Sequence, residues 1–314
     1  MSARLPWIDA ARGGALLAMA AYHFTWDLAA FRWIDGAVTA SRDFHLAGHF
    51  IAASFLILSG VSLVLARRAR NLSLWRDPRY WRRWAQIVVA AGAISLVSLK
   101  LFPEAPIFFG ILHCIALSSL IALPFVEAPA AVTLAAAALA LAAPSLLAAP
   151  LFDAAPLWWT GLSTFQPASN DYRPLLPWLG FVLLGVALAR RAPPVSTGSA
   201  APHPPRPFIR PLAFLGRHSL AFYLIHQPIL YGALALIGPQ AAPGVDEAAF
   251  TAQCVAQCST SGASASVCEA SCACVVERAK AAGRWRAVLS GALTAAQKAE
   301  THADAVACYA DSIR

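Results

Sequence analysis

The chain has 314 residues with a net charge of +8, and it is 59% hydrophobic but only 13% charged. That charged fraction is about half the ~25% of an ordinary soluble domain, which excludes a soluble globular protein, a disordered chain and a coiled coil. The charges cluster in short stretches between long apolar runs, so the composition points to several membrane-spanning helices, and nucleic acid is not expected as a partner.

Seven stretches of spanning length, roughly 17 to 25 apolar residues, occur at about 13–32, 46–66, 85–102, 107–126, 130–152, 175–190 and 212–237. The first is a retained helix rather than a cleaved signal, because Asp9, His23, Trp26 and Asp27 interrupt it and no small-residue cleavage site follows. His23 and Asp27 lie past its middle, four residues apart and so on one face. There the carboxylate can orient the imidazole and raise its basicity, as in a hydrolytic triad. An ionisable side chain inside a span costs roughly 2.5 to 3.5 kcal/mol on insertion scales, so such a pair needs a cavity, a partner or a task.

The second stretch carries His45 and His49, again four residues apart, near the end that would meet the first pair. His23, Asp27, His45 and His49 are also of the types that bind zinc or copper, although the reading adopted here expects no metal. Between the second and third stretches, residues 67–84 are rich in arginine, a positive-inside signal that also suits an anionic cofactor or lipid headgroups. His113 in FGILHCIAL, like His218, reads most simply as making interhelical hydrogen bonds. The fifth stretch, mostly alanine and leucine, offers packing and lipid contact only. Before the sixth, Asp171, Tyr172 and Arg173 reach one membrane surface together with Trp158, Trp159 and Trp178, a set that serves as an interface anchor or as aromatic faces for a sugar ring. Residues 191–211, rich in proline and small polar residues, read as a flexible cytoplasmic linker. His226 falls in the outer half of the last span.

With the N-terminus inside, thirteen arginines flank the inner side and only Arg32, Arg42, Lys100 and Arg173 the outer. Seven spans then place the tail outside. The cysteines agree independently: six of the seven lie after residue 253, at Cys254, Cys258, Cys268, Cys272, Cys274 and Cys308, and such density suits an oxidising compartment. The two CxxxC pairs put both sulfurs of each pair on one helix face, so two antiparallel helices can be stapled by two disulfides, leaving Cys274 to reach Cys308. Six cysteines allow 15 pairings, and zinc remains an alternative.

The predicted fold is therefore all-α: a polytopic membrane helix bundle of about seven transmembrane helices over residues 1–238, with a small disulfide-stapled helical domain over 245–314. The expected location is a bacterial-type inner membrane with a cytoplasmic N-terminus and a periplasmic C-terminal domain. A homo-oligomer is compatible with these features.

The opening RLPWIDAARGGALLAMAAYHFTWDL, with Asp9, Arg12, Gly13, Met19, His23 and Asp27, resembles the start of the heparan-α-glucosaminide N-acetyltransferase catalytic-domain family. FLILSGVSLVLARR, FGILHCIAL, NDYRPLLPWLGFVLLG and LGRHSLAFYLIHQPIL resemble later segments of that family in order, over residues 4–237, and the last is also similar to the final helices of membrane acyltransferases that modify sugars. The resemblance implies an enzyme that takes acetyl from cytosolic acetyl-coenzyme A and delivers it to an extracytoplasmic amino sugar or glycan. It implies His23, with Asp27, His45 and His49 near it, as the base or acetyl acceptor, and Arg12 and Arg217 as contacts for the coenzyme phosphates. Asn170, Asp171, Arg173, Trp178 and His226 would face the acceptor. The chain departs from the lysosomal member of the family in having no histidine between His23 and His45 and in adding the cysteine-rich tail. Two other classes compete: a proton-coupled transporter or flippase, which predicts repeated broken helices, and a non-catalytic anchor for the tail, which predicts no buried histidine and carboxylate pair.

Overall fold

The computed structural model describes residues 6–70, 73–192, 209–238, 247–259, 263–290 and 293–313, and among them every regular element is helical. The helices are α1 (Pro6–Ala30), α2 (Ala37–Ala40), α3 (Arg42–Arg70), α4 (Pro78–Leu101), α5 (Ile111–Ala122), α6 (Ala130–Leu147), α7 (Leu175–Arg191), α8 (Ile209–Arg217), α9 (Ser219–Ile237), α10 (Glu247–Ser259), α11 (Ala265–Ala281), α12 (Trp285–Ser290) and α13 (Ala295–Ser312). Two compact units divide the chain, one of residues 1–22 and 45–227, the other of residues 23–44 and 228–314. Most of the linker expected at 191–211 lies outside the described residues.

The expectation of seven spans is not carried by length and composition. Among the described residues four helices, α3, α4, α6 and α9, are long and apolar enough to cross a bilayer. The stretch expected at 107–126 contracts to the 12-residue α5 and a 3-10 turn at Pro124–Val126, because the nitrogen of Pro124 cannot donate to a continuing helix. The expected 212–237 stretch is broken into α8 and α9 by a turn at His218, and α7 has 17 residues. The expected 13–32 stretch is α1, which keeps Asp9, Arg12 and Asp27 in a 25-residue helix.

Inside the first unit the core runs from Ala52, Leu56 and Val64 of α3 to Val182, Leu183 and Val186 of α7, with Ala137 and Ala140 of α6 behind. Close packing depends on small residues, since without a hydrophobic drive between helices in lipid the gain comes from contact. A Cβ at Gly60 of α3 would stand 2.0 Å from the Val182 carbonyl oxygen, and one at Gly185 of α7 would stand 2.1 Å from that of Ile57. At the end of the bundle where α3 finishes, Asp77 caps α4 by accepting from the Arg79 N–H at 2.9 Å and pairs with Arg70. Burial opposes ionisation of Asp77, but the Arg70 guanidinium and the N–H groups of Arg79 and Tyr80 outweigh it and hold the carboxyl below its ordinary value. At the same end Arg67 pairs with Glu127 at 2.7 Å and Arg68 donates to the Arg190 carbonyl at 3.1 Å.

The second unit contains the tail. Cys254 pairs with Cys272 and Cys258 with Cys268, so outer joins outer and inner joins inner across the antiparallel hairpin of α10 and α11. Cys274 joins α11 to α13 through Cys308. With all six thiols in disulfides, the zinc alternative has no ligands. Arg284 pairs with Glu300 at 2.8 Å and with Asp304, and Arg278 pairs with Asp311 at 3.4 Å, fixing α13 on α11 from the polar side.

Candidate functional site

Two features of the first unit share helix α5. The first is a cluster at its N-terminus. At 1.5 Å per residue α5 is about 18 Å long, well short of the ~30 Å hydrocarbon layer, so it cannot take both ends to water. Its N-cap is Gly110, which has no side chain to satisfy the first N–H groups. Asp171, from a loop sixty residues later, accepts from the Ile111 N–H at 2.8 Å. A Cβ at Gly110 would lie 2.5 Å from that carboxylate, so the close approach needs glycine. A carboxylate at this position also complements the positive end of the helix dipole.

The same loop is pinned along its backbone, with the Asn170 N–H donating to the Ala105 carbonyl at 3.1 Å and the Arg173 N–H to that of Phe109 at 3.0 Å. Arg173 lies 4.0 Å from Asp171 and sits over the Trp178 ring at 5.2 Å, and the His49 ring stacks on Trp178 at 5.5 Å with planes 23° apart. Four of the expected residues, His49, Asp171, Arg173 and Trp178, thus form one cluster. Asn170 enters through its backbone.

Hydrogen bonding separates the histidines chemically. His49 Nδ1 lies 2.7 Å from the His45 carbonyl oxygen; a carbonyl only accepts, so Nδ1 carries a proton, and in a neutral ring Nε2 is the nitrogen that accepts one. In His113, Nδ1 accepts from the Gly110 N–H and Nε2 donates to Ser95 Oγ at 3.3 Å, and the serine hydroxyl passes on to the Ile107 carbonyl. Both ring nitrogens are occupied, which makes His113 a structural link between α4 and α5. His226 on α9 is 8% exposed, with Nδ1 2.8 Å from the Tyr223 carbonyl and its ring stacked on Phe222 at 5.9 Å. His23 and Asp27 belong to the second unit, on the last two turns of α1, with Asp27 fully buried. Among the described residues no three His, Cys, Asp or Glu side chains come together as a metal site.

The second feature is a cavity of about 290 Å³ in the first unit. Arg12, Arg70, Arg79 and Arg83 wall one part of it with Tyr80 and Trp84, and Ile111, Leu112, Ile115 and Ser119 line it along α5. Arg12 is held by Ser62 Oγ at 2.7 Å and by Asp9 at 3.3 Å, and Arg70 by Asp77, whereas Arg79 and Arg83 have no carboxylate partner among the described residues. Arg12 and Arg83 carry like charges into the same cavity. Four guanidiniums against two carboxylates leave an excess of positive charge, the electrostatics of an anion site with bidentate donors. Arg12, expected as a coenzyme contact, is one of the lining residues. Arg217 is exposed and is not among the lining residues. Arg79 and Arg83 were legible only as part of the arginine-rich stretch. The cavity lining reaches Ile111, whose N–H Asp171 accepts, so cavity and cluster meet at the first turn of α5.

A family model described as heparan-alpha-glucosaminide N-acetyltransferase, catalytic, matches residues 4–228, and the chain belongs to this family of membrane N-acetyltransferases. No curated protein and no solved structure matches it.

Proposed function

We propose that the chain transfers an acetyl group from acetyl-coenzyme A, bound in the arginine-walled cavity, to an amino sugar or glycan presented at the Asp171 end of α5. The observation that carries this reading is the cavity itself, whose lining joins Arg79 and Arg83, which have no carboxylate partner among the described residues, to the apolar first turn of α5. Arg12, Arg79 and Arg83 supply donors for the coenzyme phosphates, and Tyr80 and Trp84 supply flat faces. At about 290 Å³ the cavity is at the small end of ligand pockets. It suits the thioester arm, with the nucleotide toward the arginines. The positive-inside rule supports a cytoplasmic arginine end, and with it an extracytoplasmic acceptor end.

In the reaction the acceptor nitrogen or hydroxyl attacks the thioester carbonyl, the C–S bond breaks, and the coenzyme leaves as thiolate and takes up a proton. A histidine accepts the proton of the nucleophile, or first takes the acetyl itself and passes it on. His49 has the tautomer for this, and His23 with the buried Asp27 is the second candidate. Asp171, Arg173 and Trp178 form the acceptor side, where an aromatic face beside charged groups suits a sugar ring.

The test is equilibrium binding of acetyl-coenzyme A to the purified full chain in detergent. Each charge-assisted hydrogen bond contributes about 1.5 to 3 kcal/mol, so Arg79→Ala and Arg83→Ala should each weaken binding about tenfold or more. Absence of binding by folded protein, or unchanged affinity in both variants, refutes the proposal and favours the transporter reading.

A further inference from the structure

Helix α1 ends in the second unit with a tight corner. The Trp33 N–H donates to the Leu28 carbonyl at 2.7 Å and the Arg32 N–H to that of Ala29 at 3.0 Å, the paired bonds of a Schellman motif. The residue that takes the left-handed conformation is normally glycine, because a Cβ is disfavoured there. Here it is Arg32, at φ +60°, the one non-glycine residue with positive φ among the described residues.

The arginine side chain has a specific destination. Its guanidinium donates to the Leu289 carbonyl, 257 positions later, in the last turn of α12. Carbonyls of a last helical turn have no partner within the helix and form the negative end of its dipole, so a cation there is doubly favoured. Helix α12 is in turn fixed to the tail. Trp285 meets Phe250 of α10 at 5.1 Å and lies under Lys280 of α11 at 5.8 Å, and Cys274–Cys308 locks α11 to α13. On its other side the corner packs Phe31 against Tyr231 of α9 at 5.0 Å.

We infer that the cysteine-rich domain is a clamp on the outer end of α1, and that Arg32 is a positioning residue which, through Leu289, holds the turns carrying His23 and Asp27. This role rests on the acetyltransferase reading, in which His23 with Asp27 is a candidate base. It explains why an arginine occupies a position that backbone geometry would give to glycine: the bond to α12 compensates the unfavourable corner. The tail is then a part of the enzyme's framework, made rigid by disulfides, rather than a free binding module.

Hydrogen exchange of the full chain in detergent tests the clamp without reference to activity. Arg32→Ala keeps a Cβ at the corner, so the backbone cost is unchanged and only the link is lost. The Arg32 and Trp33 amides should then exchange about tenfold faster, as expected when a charged hydrogen bond to the segment is removed. Trp285→Ala, which removes the contacts of α12 with Phe250 and Lys280, should give a similar acceleration, and the combined variant no more than the larger single effect, because both break the same linkage. Arg32→Lys, which keeps a donor, should recover part of the protection. Exchange within twofold of the original chain in Arg32→Ala, or effects that multiply in the combined variant, overturns the clamp. In acetyl transfer, Arg32→Ala should lower kcat about tenfold with KM for the donor unchanged, since misplacement acts on the reacting groups and not on the arginine cavity. Coupled exchange in a chain with no transferase activity would leave the clamp standing and remove the enzyme reading.

Discussion

Replacing Gly60 by alanine should weaken the first unit where its core is tightest. The crossing of α3 and α7 is reciprocal: a Cβ at Gly60 meets the Val182 carbonyl oxygen at 2.0 Å, and one at Gly185 meets that of Ile57 at 2.1 Å. Both opposing atoms are backbone, so no rotamer change relieves the clash, and the helices must part by about 1 Å to restore ordinary contact. Overpacking costs about 1 to 3 kcal/mol, and a backbone clash belongs at the upper end, near 3 kcal/mol. The double variant Gly60→Ala/Gly185→Ala should cost less than twice that, because the first separation makes room for the second. Gly92→Ala in α4 is the control: nothing lies within 4 Å of its Cβ position, so it should be neutral or up to about 1 kcal/mol stabilising through helix propensity. Equilibrium unfolding in mixed micelles measures all four proteins. Because α3 carries His49 and α7 carries Trp178, the separation should also open their 5.5 Å stack and lower activity. Equal stability of Gly60→Ala and Gly92→Ala would refute the close crossing and with it the placement of His49 on Trp178.

Other consequences concern single groups. His49→Ala should abolish transfer with little loss of stability, whereas His113→Ala should lower stability by about 1 to 3 kcal/mol by leaving the Gly110 N–H and Ser95 without their partner; initial rates together with unfolding curves distinguish the two. Asp171→Ala should cost about 1 to 2 kcal/mol through loss of the cap on α5, and Asp171→Asn, which keeps an acceptor oxygen, should recover most of it in the same unfolding assay. Asp77 is held below its ordinary value, so its contribution is fully present above the carboxylate range of an unfolded chain and is lost as the pH falls through the folded value. Asp77→Ala should therefore be about 2 kcal/mol less stable at neutral pH, for the lost cap and the partly exposed pair with Arg70, and the gap should close in acid.

Patterns that act within one segment were legible in the sequence. The two CxxxC spacings led directly to the stapled hairpin, and the apolar runs led to a helical bundle. The loop charges Asp171 and Arg173 with Trp178 were legible as a set because they lie within eight residues of one another. What was not legible depends on segments distant in the chain. Nothing around Gly110 says that its helix is capped from residue 171. The arginines at 70, 79 and 83 read as an orientation signal, since the cavity they line is assembled from α1, α3, α4, α5 and α9. Arg217, expected from its charge near a helix end, is exposed and does not line that cavity. Arg32 counted as one outer positive charge, and only the fold reveals that its backbone is left-handed and that its side chain reaches Leu289.

Proteoliposomes with glucosamine sealed inside, given labelled acetyl-coenzyme A outside, bring donor site, acceptor site and membrane into one experiment. With the arginine-walled end facing the donor, labelled N-acetylglucosamine should accumulate in the lumen, and Arg79→Ala/Arg83→Ala should abolish it. Labelled sugar confined to the donor side, or donor left unconsumed by folded protein in either orientation, would contradict transfer across the bilayer through this chain.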